Sequence, residues 1–171
     1  MNQECFLYFY FKIDMMSDTI FEAVRNNNTE EVLKILKENP EIANTKDQRG
    51  STPLILATYY NHLETTKLLL EQGANIDTKD ASGNTALMGV CFKGFPELAQ
   101  ILIANGAQIN IQNATGSTCL IYAVTFKHID IVKLLLQLGA DSTIKDARGF
   151  NALDHAKLQG VPELIDLLES V

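Results

Sequence analysis

The glycines of this chain keep a strict period. Gly50, Gly83, Gly116 and Gly149 are each 33 residues apart, and so are Gly73, Gly106 and Gly139. Leu54, Leu87, Leu120 and Leu153 keep the same step, as do Asp47, Asp80, Asn113 and Asp146. Independent columns that agree on one period of this length restrict the chain to an array of like units, each too small to bury its own apolar face. Counted back from Asp47, the period places a first unit at Asp14 with no gap required. The 171 residues then divide into 13 leading residues, four units of 33 (14–145) and a shortened unit of 26 (146–171). The units are 14–46 as an N-terminal cap, 47–79, 80–112, 113–145, and 146–171 as a C-terminal cap.

Each unit reads as two short helices and a turn. Thr52 is placed to cap a first helix, since its hydroxyl can accept from an otherwise unpaired backbone N–H. Pro53 suits the first helical position, where a missing N–H costs nothing. This helix should end near Asn61, whose column also holds Gly94 and Gly160 and, as an exception, Lys127. Such residues accept the left-handed conformation of a helix C-terminus. A second helix follows near 64–72, carrying Leu68-Leu69-Leu70 and ended by Gly73; Ile101-Leu102-Ile103 and Leu134-Leu135-Leu136 are its counterparts. Pro96 and Pro162 open the same helix in two other units. In the end units the apolar triplet admits a charge, as Ile35-Leu36-Lys37 and Leu167-Leu168-Glu169, which fits terminal caps. Glu31 with Lys34, Glu64 with Lys67, and Asp130 with Lys133 stand three apart, the spacing of a solvated ion-pair face on the second helices.

Composition removes several classes of function. With 14 basic and 21 acidic side chains the net charge is -7, which disfavours nucleic acid and anionic membrane surfaces. Apolar stretches such as 119–126 reach only eight residues, far below the length of a membrane-spanning helix. Cys5, Cys91 and Cys119 are odd in number and lack metal-site spacing, which fits a reducing, cytoplasmic setting. There is no phosphate loop, no Ser/His/Asp set and no metal motif, so the expected protein is no enzyme and carries no cofactor. His62 and His128 share one repeat column and read as structural; His155 and Asp154 are neighbours whose side chains do not face each other on a helix. Cys91 and Cys119 read as small buried side chains.

The run Gly50-Ser51-Thr52-Pro53-Leu54, then Ala57, then Lys67-Leu68-Leu69-Leu70-Glu71-Gln72-Gly73-Ala74-Asn75-Ile76-Asp77, resembles an ankyrin repeat. So does Gly116-Ser117-Thr118 with Ile131 to Leu136 and Gly139-Ala140-Asp141. The resemblance covers about 14–171 and is closest in style to small, stand-alone, bacterial-type members. The family's T-P-L-H pattern departs in its last column, which holds Ile55, Met88, Ile121 and Asp154, so apolar contact is expected where a Thr–His bond is usual. The resemblance implies an all-α, ankyrin-repeat solenoid of stacked helix–turn–helix units with short hairpin-like turns. It also implies a concave face, built from turn tips and first helices, that binds a protein partner.

Carried onto this sequence, the contact columns of that face comprise two sets. The tips include Arg49, Arg148 and Phe150; the late first-helix positions include Tyr59, Tyr60, Phe92, Lys93, Phe126 and Leu158. Each repeat after the first carries a large apolar residue at the late position, with some positive charge beside it. The competing reading is that these rings tuck between helices and complete the core. Alanine at Tyr60, Phe92 and Phe126 is expected to leave the fold intact and abolish partner capture. The implied partner is a protein, with no nucleic acid and no membrane, and the chain itself is expected to be monomeric. The partner reading is an adaptor or modulator; the alternatives are a dedicated inhibitor or stabiliser of one enzyme, or an effector delivered to another cell. The aromatic leading segment, with Phe6, Tyr8, Phe9, Tyr10 and Phe11, reads either as sequence upstream of a true start at Met15 or Met16, or as an apolar extension over the first repeat or an anchor; it is a poor signal peptide.

Overall fold

The structure, a computed structural model, describes residues 19–170, so the leading segment and the start at Met15 or Met16 lie outside the described residues. Among the described residues there are helices and turns and no strand. They belong to two compact units, one ending at Asn75 and the other beginning at Ile76. The first contains α1 (residues 19–25), α2 (Thr29–Glu38), a 3-10 turn (Pro40–Asn44), α3 (Pro53–Tyr59) and α4 (Leu63–Glu71). The second contains α5 (Ala86–Lys93), α6 (Pro96–Ala104), α7 (Cys119–Thr125), α8 (Ile129–Gln137), α9 (Ala152–Gln159) and α10 (Pro162–Glu169).

The caps follow from the threonine column. Thr52, Thr85 and Thr118 each accept a hydrogen bond from the backbone N–H three residues on, at 3.3, 3.4 and 3.3 Å. In the last unit Asn151 replaces threonine and Asp154 answers it. Asn151 Oδ1 accepts from Asp154 N at 2.9 Å and Asp154 Oδ2 from Asn151 N at 3.0 Å, a reciprocal capping box. In the column where apolar contact was expected, Met88 and Ile121 are buried and Ile55 is half-buried, whereas Asp154 makes a polar bond.

In the second unit α5, α7 and α9 form one row of contacts and α6, α8 and α10 another, with each pair α5–α6, α7–α8 and α9–α10 also packed together. Leu87 and Leu120 are buried in the first row, while Leu153 of α9, the last described helix of that row, is only half-buried. Of each apolar triplet in the middle units only the central residue is buried. Leu69, Leu102 and Leu135 are buried and their neighbours are half-exposed; Leu36 and Leu168 hold the same column in the end units. Each such leucine contributes about 2 kcal/mol of burial.

The turns are organised by the acid or amide column. Asp80 Oδ1 accepts from Ser82 N and Asn84 N at 2.8 Å each. Asp47 does the same for Arg49 and Ser51, Asn113 for Thr115 and Ser117, and Asp146 for Arg148 and Phe150. Successive tips in the second unit then join through Ala114 N to Ser82 O (3.1 Å) and Ala147 N to Thr115 O (2.9 Å). This stacking explains the period's strictest glycines. A Cβ on Gly83 would lie 2.8 Å from Ala114 N, and one on Gly116 2.8 Å from Ala147 N, whereas Gly149, the last tip among the described residues, has open space. A further set of bonds recurs with a step of 31. Asn44 Oδ1 accepts from Asn75 N, Asp77 Oδ1 from Gln108 N, and Asn110 Oδ1 from Asp141 N, at 2.7, 3.1 and 2.9 Å.

Two expectations are corrected. The period slips by one residue in the first repeat: the left-handed residue is Asn27, where the column predicts Asn28. Asn28 instead caps a ten-residue α2, and a 3-10 turn begins at Pro40, where the other repeats have a glycine. Thr65 Oγ1 donates to Asn27 Oδ1 at 2.7 Å. Lys133 also leaves its expected partner Asp130 and binds Glu163 of α10 at 2.9 Å, because the neighbouring helix offers a carboxylate at closer range; the Glu31–Lys34 and Glu64–Lys67 pairs form as expected.

Lys127, the exception in its column, does adopt the left-handed conformation, with φ 61°. A Cβ in that region costs about 1 kcal/mol. Lys127→Gly is therefore expected to stabilise the protein by about 1 kcal/mol, read as a higher thermal midpoint. An unchanged or lower midpoint would show that the lysine is compensated within the chain.

Candidate functional site

The late first-helix rings lie outside the core. Tyr59 and Tyr60 are 45% and 46% exposed, Phe92 and Phe126 are 41% and 43% exposed, and Leu158 is 69% exposed. Their side chains are therefore more open than those of the core. In the first unit Tyr59 and Tyr60 meet edge to face at 5.3 Å, and Tyr60 stacks on His62 at 5.7 Å. In the second unit Phe92 of α5 and Phe126, the residue capping α7, meet at 4.5 Å and 74°. Tyr122 lies 6.2 Å from Phe92 and 6.4 Å from Phe126, so three rings from two adjacent repeats form one cluster. Edge-to-face contact of this kind fixes ring orientation ahead of any binding event.

Tyr122 was not among the expected contact residues, yet it anchors the cluster. Its hydroxyl accepts from Asn113 Nδ2 at 2.9 Å and donates to Asn84 Oδ1 at 3.2 Å, and Asn113 Nδ2 also reaches Asn84 Oδ1 at 2.8 Å. Partial burial raises the phenol's pKa, against the opposing hydrogen bond from Asn113. The helix is in this way tied to the turn tips. Asn113 and Tyr122 are nine residues apart, and so are Asp146 and His155.

That second pair gives His155 its partner. It ignores Asp154 and instead donates from Nε2 to Asp146 Oδ2 at 2.9 Å, both side chains being buried. Arg148 Nη2 lies 3.1 Å from the same oxygen, and its guanidinium covers the Phe150 ring at 5.6 Å. Phe150 in turn meets His155 edge to face at 6.0 Å. The positive charge expected at this tip is thus matched by Asp146. Burial alone would raise the Asp146 carboxyl, but bonds from the Phe150 N–H, His155, and the Arg148 side chain and N–H outweigh it and bring the pKa down to about 2. Its ordinary value is 3.8. A depressed carboxylate stabilises the fold above the unfolded pKa, and this contribution is lost as pH falls through the folded one. About 2 kcal/mol should disappear between roughly pH 4 and 2. Acid unfolding of Asp146→Asn should lack that step, as followed by circular dichroism.

The histidines and cysteines of the helices are structural in geometry. His62 Nε2 donates to Arg25 O at 3.3 Å and His128 Nε2 to Phe92 O at 3.1 Å, each bridging to the helix of the preceding repeat. Gly94 makes room for the latter: a Cβ there would sit 2.5 Å from the His128 ring. Cys91 and Cys119 are buried free thiols; burial, then the neighbouring Cys119 thiol, pushes the Cys91 pKa well up, away from nucleophilic reactivity. Among the described residues no three His, Cys, Asp or Glu side chains are grouped to hold a metal ion, and no helix is long and apolar enough to cross a membrane. Arg49 and Lys93 occupy the expected tip and late-helix positions, Arg49 exposed and Lys93 half-exposed.

The interior of α5 contains one further irregularity. Gly89 occupies the column of Tyr122 and His155, and a Cβ added to it would meet nothing within 4 Å. Glycine there costs about 1 kcal/mol of helix stability relative to alanine, and no neighbour requires it.

No curated protein matches the chain. The family model described as ankyrin repeats (3 copies) matches residues 20–113 and 87–170. Those spans include every helix pair from α2 to α10, the threonine caps and the stacked glycine turns. Ankyrin repeats are generic protein-interaction modules, and an exposed ring cluster on the first-helix row accords with that use. The all-α repeat architecture, the recurring turn chemistry and the family match agree: the chain belongs to the ankyrin-repeat family.

Proposed function

We propose that the protein is a non-enzymatic, cytoplasmic binding module, an adaptor or modulator, that takes a protein partner on the face carrying its first-helix rings and turn tips. The observation that carries this reading is the pair Phe92 and Phe126, two exposed rings locked edge to face at 4.5 Å. Exposed aromatics held rigidly lose little entropy on binding and are the residue type that dominates interface energies. Tyr59 and Tyr60 supply the equivalent rings of the first unit, with Arg49, Lys93, Arg148, Phe150 and Leu158 as further contacts. Burial of both helical cysteines and the structural bonding of all three histidines support a role without turnover.

The test is affinity capture from the native cell with three baits: wild type, Phe92→Ala/Phe126→Ala, and Lys34→Ala/Lys67→Ala on the second helices. The proposal predicts a partner retained by wild type and the lysine variant and lost by the ring variant. Equal capture by all three would place the contact elsewhere.

A further inference from the structure

Resting on that binding role, we infer that the repeat 80–112 takes an arginine side chain of the protein partner, its guanidinium paired with the Asp80 carboxylate beside the bare backbone of Gly89. The repeats themselves supply the comparison. In the two that follow, the turn residue bonds the helix residue nine positions on. Asn113 Nδ2 donates to Tyr122 Oη at 2.9 Å, and His155 Nε2 donates to Asp146 Oδ2 at 2.9 Å. The turn at Asp80 has the same build. Asp80 N donates to Asn84 O at 2.9 Å, as Asn113 N does to Ser117 O and Asp146 N to Phe150 O. Asp80 Oδ1 accepts from the N–H groups of Ser82 and Asn84. Nine positions on stands Gly89, half-exposed, where a Cβ would meet nothing within 4 Å. In the repeat before, Leu56 holds that column, so only at Gly89 is the turn residue matched with a position that has no side chain.

The charge of Asp80 has no answer inside the chain. Among the described residues Asp80 enters no ion pair, and its Oδ2 accepts no hydrogen bond. Lys79 beside it donates to Gln112 O at 2.9 Å. Among the described residues no side-chain nitrogen or oxygen that lacks a partner is fully buried, so Oδ2 can be reached from solvent. The charge also acts on Tyr122, whose phenol pKa is raised by burial and lowered by the bond from Asn113, with Asp80 adding to the rise. Phe92 is three residues from Gly89 on α5, and its ring stands 6.2 Å from that of Tyr122. Carboxylate, bare backbone and two rings therefore belong to one place.

The last repeat shows which cation suits such a carboxylate. Arg148 bonds Asp146 Oδ2 through Nε at 3.3 Å and Nη2 at 3.1 Å, while its guanidinium covers the Phe150 ring at 5.6 Å. A planar guanidinium can pair with a carboxylate and lie on an aromatic face at once, which a lysine ammonium does less well. At Asp80 the carboxylate and the rings are present, and the partner supplies the cation.

Peptides selected on the full chain from a random displayed library, then measured by fluorescence anisotropy, test this. Enriched sequences should share an arginine, and its replacement by Gln should weaken binding about tenfold. Asp80→Asn keeps the Oδ1 turn bonds, as Asn113 does, and should abolish the difference between the Arg and Gln peptides with the fold intact by circular dichroism. Gly89→His should raise the thermal midpoint, because the new ring reaches Asp80 as His155 reaches Asp146, and should weaken the Arg peptides about tenfold. Enrichment without arginine, or a preference for Arg over Gln that survives Asp80→Asn, overturns the inference. If the enriched peptides are still lost on Phe92→Ala/Phe126→Ala, the binding role stands without it. If nothing is enriched, or if the ring variant binds as wild type does, both readings fall.

Discussion

Replacing Phe92 and Phe126 together by alanine is expected to weaken partner binding about a hundredfold or more while leaving the fold in place. Central aromatic anchors cost about 2 kcal/mol or more each when truncated, and two such losses exceed a hundredfold in affinity even if they are not additive. The cost to the fold is small for a reason visible in the exposures. The rings are already 41% and 43% exposed, so truncation opens no enclosed cavity of the kind that makes core changes expensive. Within the chain, truncation removes mainly the edge-to-face attraction between the two rings, worth about 1 kcal/mol. Titration calorimetry with the captured partner and a denaturant curve on the same preparation measure both quantities. Equal losses in the two would mean that the rings serve packing after all.

Asp146→Ala is expected to cost about 3 kcal/mol, concentrated at the C-terminal repeat. The substitution strips acceptors from the Arg148 and Phe150 N–H groups and from His155 and the Arg148 guanidinium at once. His155 would remain buried with its ring nitrogen unpaired, the costly half of breaking a buried polar pair. Asp146→Asn should cost only about 1 kcal/mol, because Asn113 performs the same turn bonding one repeat earlier through its Oδ1. Chemical denaturation of the three proteins, with hydrogen exchange at α9 and α10 to locate the effect, gives the comparison. Destabilisation spread evenly over both units would show that this turn is not a local anchor.

The period made the fold legible from the residues alone, since one strict column of turn glycines is required wherever one tip stacks directly on the next, as at Gly83 and Gly116. Caps were equally readable, because Thr-Pro and Asn at helix starts act within three residues. What escaped was set by partners on other elements. Lys133 chose Glu163, 30 residues on, over a neighbour on its own helix. The first-repeat slip to Asn27 was hidden because the 3-10 turn after α2 restores the register by Asp47. At the candidate site the exposed rings were legible as a column of large apolar residues. The anchoring of Tyr122 and the Asp146–His155 bond were not, because a nine-residue step from turn to helix has no period of its own to announce it. Arg148 shows the limit of reading charge from sequence: its formal charge is real, but Asp146 holds it.

The most direct test is photocrosslinking from inside the proposed contact. Benzoylphenylalanine in place of Phe126, irradiated in the native cell, should yield a single heavy adduct whose partner is the protein retained by affinity capture. The same probe at Lys34 of α2, on the solvated side of a second helix, should yield none. An adduct from position 34 with none from 126 would contradict the claim that the first-helix rings are the face this protein offers to its partner.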